Sequence, residues 1–171
     1  MEIVRPLETP RMLIRSYRKE DMDFCLSLWC DSENGKYMSD PLLENIDEKY
    51  RSCLEEMADN QEGYYLIAEL KENGTPVATC CAFPEEKNYD IGYCVSRKYW
   101  KNGLGTEMLE ALIRWIREAG GVSVTGEVAD SNAASIALLR KFGFCEDKRT
   151  RYKKWGEETF FDAHYYKLVL Q

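Results

Sequence analysis

Asn102, Gly103, Leu104, Gly105 and Thr106 stand directly in front of a long run with helical periodicity, and this placement is the main chemical signal in a chain of 171 residues. The first turn of a helix leaves about four N–H groups without intrahelical partners and carries partial positive charge. A tight turn ahead of it aims those amides into one concavity. Glycines at 103 and 105 remove the side chains that would hold a phosphate away from the backbone. The pair therefore predicts a cradle for a phosphate or pyrophosphate. A P-loop is excluded, because it needs Gly-Lys-Ser/Thr where the chain reads Gly105, Thr106, Glu107. A dinucleotide turn fits poorly, because Met108 stands where a third small residue is required. Alone, the pair is equally compatible with a turn that merely starts a helix.

The remaining reactive side chains limit the alternatives. Seven cysteines are an odd number and none has Cys-x-x-Cys spacing, which argues against a disulfide framework or a zinc site. A single histidine, His164, cannot supply a His-based cluster, so no metal is expected. Cys94 invites a nucleophilic role, but no histidine lies near it in sequence to activate it. In IGYCV and VATCCAF the thiols read as small buried hydrophobes. His164 reads as a strand residue beside Tyr165 and Tyr166. A formal charge of −7 argues against nucleic acid and anionic membrane as partners. The densest basic stretch, KRTRYKK (148–154), reads as a solvated strand or loop. The N-terminus lacks the apolar core of a signal peptide and no run is long enough to span a bilayer, so cytoplasmic residence is expected.

The elements that must position the glycine turn alternate between strand and helix. MLIRSY (12–17) predicts a strand; 21–31 and 45–58 predict helices through Met22, Leu26, Trp29 and Ile46, Tyr50, Cys53, Met57. YYLIAEL (64–70), the turn KENG and PVATCCAF (76–83) predict a hairpin, followed by a strand YDIGYCV (89–95). After the glycine pair, Leu104, Met108, Leu112, Trp115 and Ala119 mark the apolar face of a helix that AGG (119–121) ends. A strand VSVTGEVA (122–129), a short helix from Ala133 to Gly143 and strands at 146–152 and 159–170 follow. No linker composition interrupts the chain, so residues 1–171 are expected to form one mixed α/β domain, with hairpins and at least one helical crossover.

Three segments in order carry a resemblance: LETPRMLIRSYRKEDMD (7–23), YDIGYCVSRKYWKNGLGTEML (89–109) and EVADSNAASIALLRKFGF (127–144). Together they resemble the GNAT superfamily of N-acetyltransferases, especially the branch that acetylates ribosomal-protein N-termini, over nearly the whole chain. Trp100 stands where most of the superfamily has Gln or Arg, and Lys101 and Asn102 replace the commoner Gly-Lys. The resemblance implies a mostly antiparallel central sheet with flanking helices, splayed between the family's fourth and fifth strands, here 89–95 and 122–129. It implies acetyl-CoA as donor, its pyrophosphate on Trp100, Lys101, Asn102, Gly103, Leu104, Gly105 and Thr106, and its pantetheine arm along Tyr93, Cys94 and Val95. The Val95 N–H would bond the thioester carbonyl and then the oxyanion, and Asn132 and Ser135 would face the arm.

The family transfers acetyl directly to an amine, and an incoming ammonium must first lose a proton. Glu127, in an E-V-x-x-S-N setting, matches the family base, and Asp90 is the second candidate. The tyrosine that many members use to protonate the leaving thiolate is replaced by Leu139, leaving Ser135 or solvent for that role. The acceptor implied is a primary amine, either a peptide N-terminus or a small cationic amine. Asp31, Glu33, Asp40, Glu44, Asp47 and Glu48 lie where the family shapes specificity and favour a cationic one. Trp29, Tyr37, Tyr64 and Tyr65 either line the acceptor side or pack the core. A catalytically silent acyl-CoA-binding module and a nucleotide-phosphate binder remain as competing readings. The state expected is monomer or homodimer, with the final strand available as an edge.

Overall fold

A computed structural model of the chain describes residues 1–158 and 160–170. Its strands are β1 (Leu7–Glu8), β2 (Met12–Ser16), β3 (Tyr64–Leu70), β4 (Pro76–Glu85), β5 (Asn88–Val95), β6 (Ser123–Ala129), β7 (Cys145–Lys153) and β8 (Phe160–Val169). The α-helices are α1 (Met22–Trp29), α2 (Glu48–Glu56), α3 (Leu104–Glu118) and α4 (Ala133–Lys141). The strands form one sheet in the order β1-β2-β3-β4-β5-β6-β8-β7. Neighbours are antiparallel except β5 and β6, which run parallel and therefore need a crossover, supplied by α3.

The final strand is not an edge. β8 is inserted between β6 and β7, so β1 and β7 are the outer strands. The expected first helix is trimmed to Met22–Trp29, and the second begins at Glu48, where the Asp47 side chain accepts from the Tyr50 N–H at 2.7 Å and caps it. β1 has two residues, too few for an alternating pattern to register in the sequence. Of the expected last strand, Thr159 lies outside the described residues.

The two faces of the sheet are packed differently. Met108, Leu109, Leu112 and Ile116 of α3 are at most 1 % exposed and pack on Met12, Ile14, Leu66 and Val124. Burying each such side chain contributes on the order of 1.5–3 kcal/mol, which fixes α3 and the turn at its start against the sheet. On the opposite face Cys25 and Trp29 of α1 and Met57 just past α2 pack with Tyr17 and Ile67, and the Tyr17 hydroxyl bonds the Leu54 carbonyl of α2. Strand alternation carries this into β5 and β6: Tyr89, Ile91, Val124 and Val128 belong to the α3 side. Asp90, Gly92, Cys94, Thr125 and Glu127 consequently face the α1/α2 side.

Candidate active site

The site begins where the parallel pair fails. β5 and β6 are paired only at Asn88↔Ser123, Tyr89↔Val124 and Asp90↔Thr125, and then separate. Ser96 N–H bonds the Val77 carbonyl at 2.8 Å, so the antiparallel alternation with β4 turns the backbone groups of Ile91, Tyr93 and Val95 toward the gap. A cavity of about 780 Å³ occupies it, with Tyr93, Cys94 and Val95 on one wall and Gly126, Glu127, Val128 and Ala129 on the other. Trp100, Lys101, Gly103, Leu104 and Gly105 close one end, and Asn132 and Ser135 of the α4 start lie along the floor. Asn102 and Thr106 flank this lining without belonging to it, and Asp90 sits at the closed vertex, on the last paired rung.

The two glycines serve different physical needs. Gly103 has φ 79° and caps α3 in the left-handed region, which a side chain disfavours. Gly105 lies inside α3, and a Cβ there would meet only Leu138 and Val95, each at 3.5 Å, which is ordinary contact. The fold does not demand Gly105, and its bare backbone leaves room for a group above the helix start. The turn is held from outside: Arg11 Nη1 donates to the Asn102 carbonyl at 2.9 Å, and its Nε donates to Glu107 at 2.8 Å. Glu107 also accepts from Thr9 Oγ1 at 2.6 Å and the Arg11 N–H at 2.7 Å. These bonds outweigh its burial and keep its carboxyl below the usual range, so its charge is spent on the scaffold beside the cradle. Trp100 is 46 % exposed and donates Nε1–H to the Val95 carbonyl at 2.7 Å, tying the loop to the end of β5. A pyrophosphate fits the free amides, the bare Gly105 and the nearby Lys101.

Glu127 accepts from Thr150 Oγ1 at 2.8 Å and Asp90 from Thr125 Oγ1 at 2.9 Å. Burial holds the Asp90 carboxyl above its ordinary value, opposed by the Thr125 bond and reinforced by Glu127. Asn132 Oδ1 accepts the Ser135 N–H at 3.2 Å and so caps α4. Leu139 is fully buried in the core under Gly126. The Tyr93 ring was expected only for its backbone, yet it crosses toward α4, where its hydroxyl donates to the Ser135 carbonyl at 3.5 Å. Burial pushes this phenol up to about 12, so it keeps its proton at neutral pH. Cys94 is buried and accepts from Asn34 Nδ2 at 3.1 Å; burial raises its thiol to about 12 and leaves it protonated.

A strap over the mouth of the gap escaped sequence reasoning. Asn34 binds the β5 end through Val95 O and Arg97 N–H, and the Tyr37 hydroxyl donates to Ser131 O beyond β6 at 3.0 Å. Gly35 passes so close to α1 that a Cβ would lie 1.7 Å from the Trp29 carbonyl oxygen. Beneath the strap lies Lys154, which corrects the reading of 148–154 as uniformly solvated: it is 5 % exposed. Its ammonium donates to the carbonyls of Gly35 and Met38 at 3.0 Å and of Asp40 at 3.1 Å. No local pattern marks it, because its partners lie more than a hundred residues away. Several acids of the 31–48 region are likewise committed: Asp31 Oδ1 accepts from the N–H groups of Glu33 and Asn34, Asp47 caps α2, and Asp40 Oδ1 accepts from the Tyr50 hydroxyl at 2.6 Å. His164 is a strand residue with Nδ1 2.7 Å from Asp130 Oδ1; it pairs with Val128 of the gap wall but does not itself line the gap. Among the described residues no group of three or more His, Cys, Asp or Glu side chains is placed to hold a metal ion, and no helix is long and apolar enough to cross a membrane.

A sheet opened at its parallel pair, with a glycine-led helix at one end of the opening, is the architecture of an acyl-CoA-dependent transferase. Residues 11–145 match the acetyltransferase (GNAT) domain, and the chain belongs to that family, making it an acetyl-CoA-dependent acetyltransferase. It is 24 % identical over 169 residues to the uncharacterized N-acetyltransferase YoaA of Bacillus subtilis, covering 95 % of this chain and 96 % of that one. It is 37 % identical over 92 residues to the ribosomal protein bS18-alanine N-acetyltransferase of Escherichia coli, covering 52 % of this chain and 61 % of that one. The crystal structure of a GNAT-family acetyltransferase from Bacillus anthracis has a TM-score of 0.80 at 18 % identity, over 96 % of this chain and 98 % of that one.

Proposed function

We propose that the acceptor is a primary amine, and that the acetyl group passes to it directly within a ternary complex. The observation that carries this reading is Glu127, a carboxylate on the wall of the gap, on the sheet face that the strap covers. Acetyl-CoA supplies an activated thioester when bound. Gly103, Gly105 and the first amides of α3 would hold its pyrophosphate, and the backbone of Tyr93 and Val95 would align its arm and offer an N–H to the acyl oxygen. Glu127 would take the proton of the incoming ammonium, with Asp90 at the vertex as the second carboxylate on the same face. Neither Leu139 nor a histidine can serve the leaving thiolate. The Tyr93 phenol, still protonated at neutral pH, and Ser135 are the hydroxyls at hand. The continuous sheet supports reading 1–171 as one domain, and seven free cysteines suit a reducing cytoplasm.

The test measures release of the CoA thiol from acetyl-CoA against a panel of primary amines. Glu127→Gln is expected to lower turnover about 10²-fold or more and to alter its pH profile, with acetyl-CoA affinity by calorimetry unchanged. A full rate with the same profile would move the base role to Asp90 or water. A second reading, a silent acyl-CoA-binding module, draws on Leu139 being fully buried where many family members carry a tyrosine. Acetyl-CoA binding without turnover of any amine would decide for it.

A further inference from the structure

A second cavity, of about 300 Å³, lies on the α1/α2 face of the sheet. It shares Met38, Ser39, Gly92 and Tyr93 with the gap, so the two spaces meet across the middle of β5. Its own walls are Tyr17, Trp29, Met57, Tyr65, Ile67 and Cys81. The polar atoms on these walls are largely committed elsewhere. The Tyr17 hydroxyl donates to Leu54 O at 3.1 Å, and Trp29 Nε1 donates to Thr79 Oγ1 at 2.8 Å. What the cavity presents is mainly ring faces, a thioether, thiols and aliphatic groups, with the hydroxyls of Ser39 and Tyr65 as its remaining polar groups. Asp40 also borders it, but its carboxylate already accepts the Tyr50 hydroxyl and lies near the Lys154 ammonium, so it does not call for a further cation.

Glu127 faces the same side of the sheet as this cavity. An amine nitrogen beside Glu127 can therefore place its substituent over β5 at Gly92, where the absence of a side chain leaves the passage open. A Cβ at Gly92 would stand 2.9 Å from Cys81 Sγ, inside that passage. Resting on the amine-acceptor reading above, we infer that the second cavity is the acceptor side-chain pocket. The substrate class is then a primary amine carrying a large apolar or aromatic side chain near the nitrogen, in place of a polyamine or aminoglycoside.

The experiment measures kcat/KM for CoA thiol release with peptides that differ only in the first residue (Phe, Leu, Ala or Gly), with phenylalaninamide as the free-amine arm and spermidine as the polycation. Phe- and Leu-initiated acceptors are expected to exceed the Gly-initiated one by about tenfold or more, the discrimination an apolar pocket supplies. Comparable rates for phenylalaninamide and the Phe peptide would identify a small-molecule acceptor; a rate with the peptide alone would identify a polypeptide N-terminus. Met57→Trp fills this cavity from the turn just past α2, which lies outside the gap, and should raise KM for the bulky acceptors about tenfold while sparing the Gly peptide and acetyl-CoA affinity. Turnover that is flat across the first residue, or highest for spermidine, overturns the inference and leaves amine acetylation standing. Failure to acetylate any of these amines, in a sample that binds acetyl-CoA, ends both. The wild-type panel decides the matter even if the variant fails to fold.

Discussion

Replacing Gly105 with alanine should make the protein more stable and a poorer acetyl-CoA binder at once. Gly105 occupies the first turn of α3 with no left-handed φ, and the added methyl would touch Leu138 and Val95 at 3.5 Å without a clash. Alanine at a helical position that accepts it gains roughly 0.5–1 kcal/mol over glycine, chiefly by restricting the unfolded chain. For a domain of this size that raises Tm by about 1–4 °C. The same methyl occupies the face from which a pyrophosphate must approach the amides of the helix start. Displacing it weakens charge-assisted hydrogen bonds worth about 1.5–3 kcal/mol each, so losing one costs roughly ten- to hundredfold in Kd. Differential scanning calorimetry and acetyl-CoA titration on the same sample read both effects. A lower Tm would show that glycine is required by the fold; a higher Tm with unchanged affinity would remove the helix start from the binding site.

Lys154→Met should lower stability by about 1–3 kcal/mol, because three backbone carbonyls of the strap lose a buried donor; urea unfolding measures this, and acceptor KM should rise more than acetyl-CoA Kd. Arg15 donates to Asp21 Oδ2 and Oδ1, both at 2.7 Å, and also pairs with Glu69. Burial alone would raise the Asp21 carboxyl, but Arg15 and the Arg18 N–H hold it net below its ordinary value of 3.8. A depressed carboxyl contributes stability that is present above its unfolded pKa and lost as pH falls through the folded one, so wild-type stability should decline below about pH 4. Arg15→Leu should cost about 3–5 kcal/mol near neutrality by leaving Asp21 buried and unpaired, and should flatten that acid decline. Equal acid sensitivity in the variant would place the titrating group elsewhere.

Much of the glycine-turn end of the gap was legible in the sequence because it is local. Val95 to Thr106 is a continuous stretch in which a strand end, a turn and a helix start follow one another, and a helix start exposes its amides whatever lies around it. Gly103 and Gly105 could be singled out there, although only the Cβ distances separate the glycine the backbone needs from the one it merely tolerates. The hairpin of β3 and β4 and the apolar face of α3 were equally plain, since each repeats at its own period within a few residues.

The strap side of the gap was decided by contacts between distant segments, which no periodicity encodes. Lys154 sits in a basic run and looks solvated until the strap folds over it. Asp40 looks like one acid among six until Tyr50 and Lys154 are found against it. The Tyr93 hydroxyl meets Ser135 forty-two residues on, and the insertion of β8 between β6 and β7 depends on which edge the last segment finds free. The sequence by itself determined most of the strands and helices and the glycine turn ahead of α3, because each is set by neighbours along the chain. Only the tertiary structure decided that β5 and β6 part after Asp90, that a strap closes the opening and that an apolar cavity lies beside it. These arise where surfaces far apart in sequence must pack or fail to pack, and the free energy of that packing belongs to pairs of segments, not to any one of them.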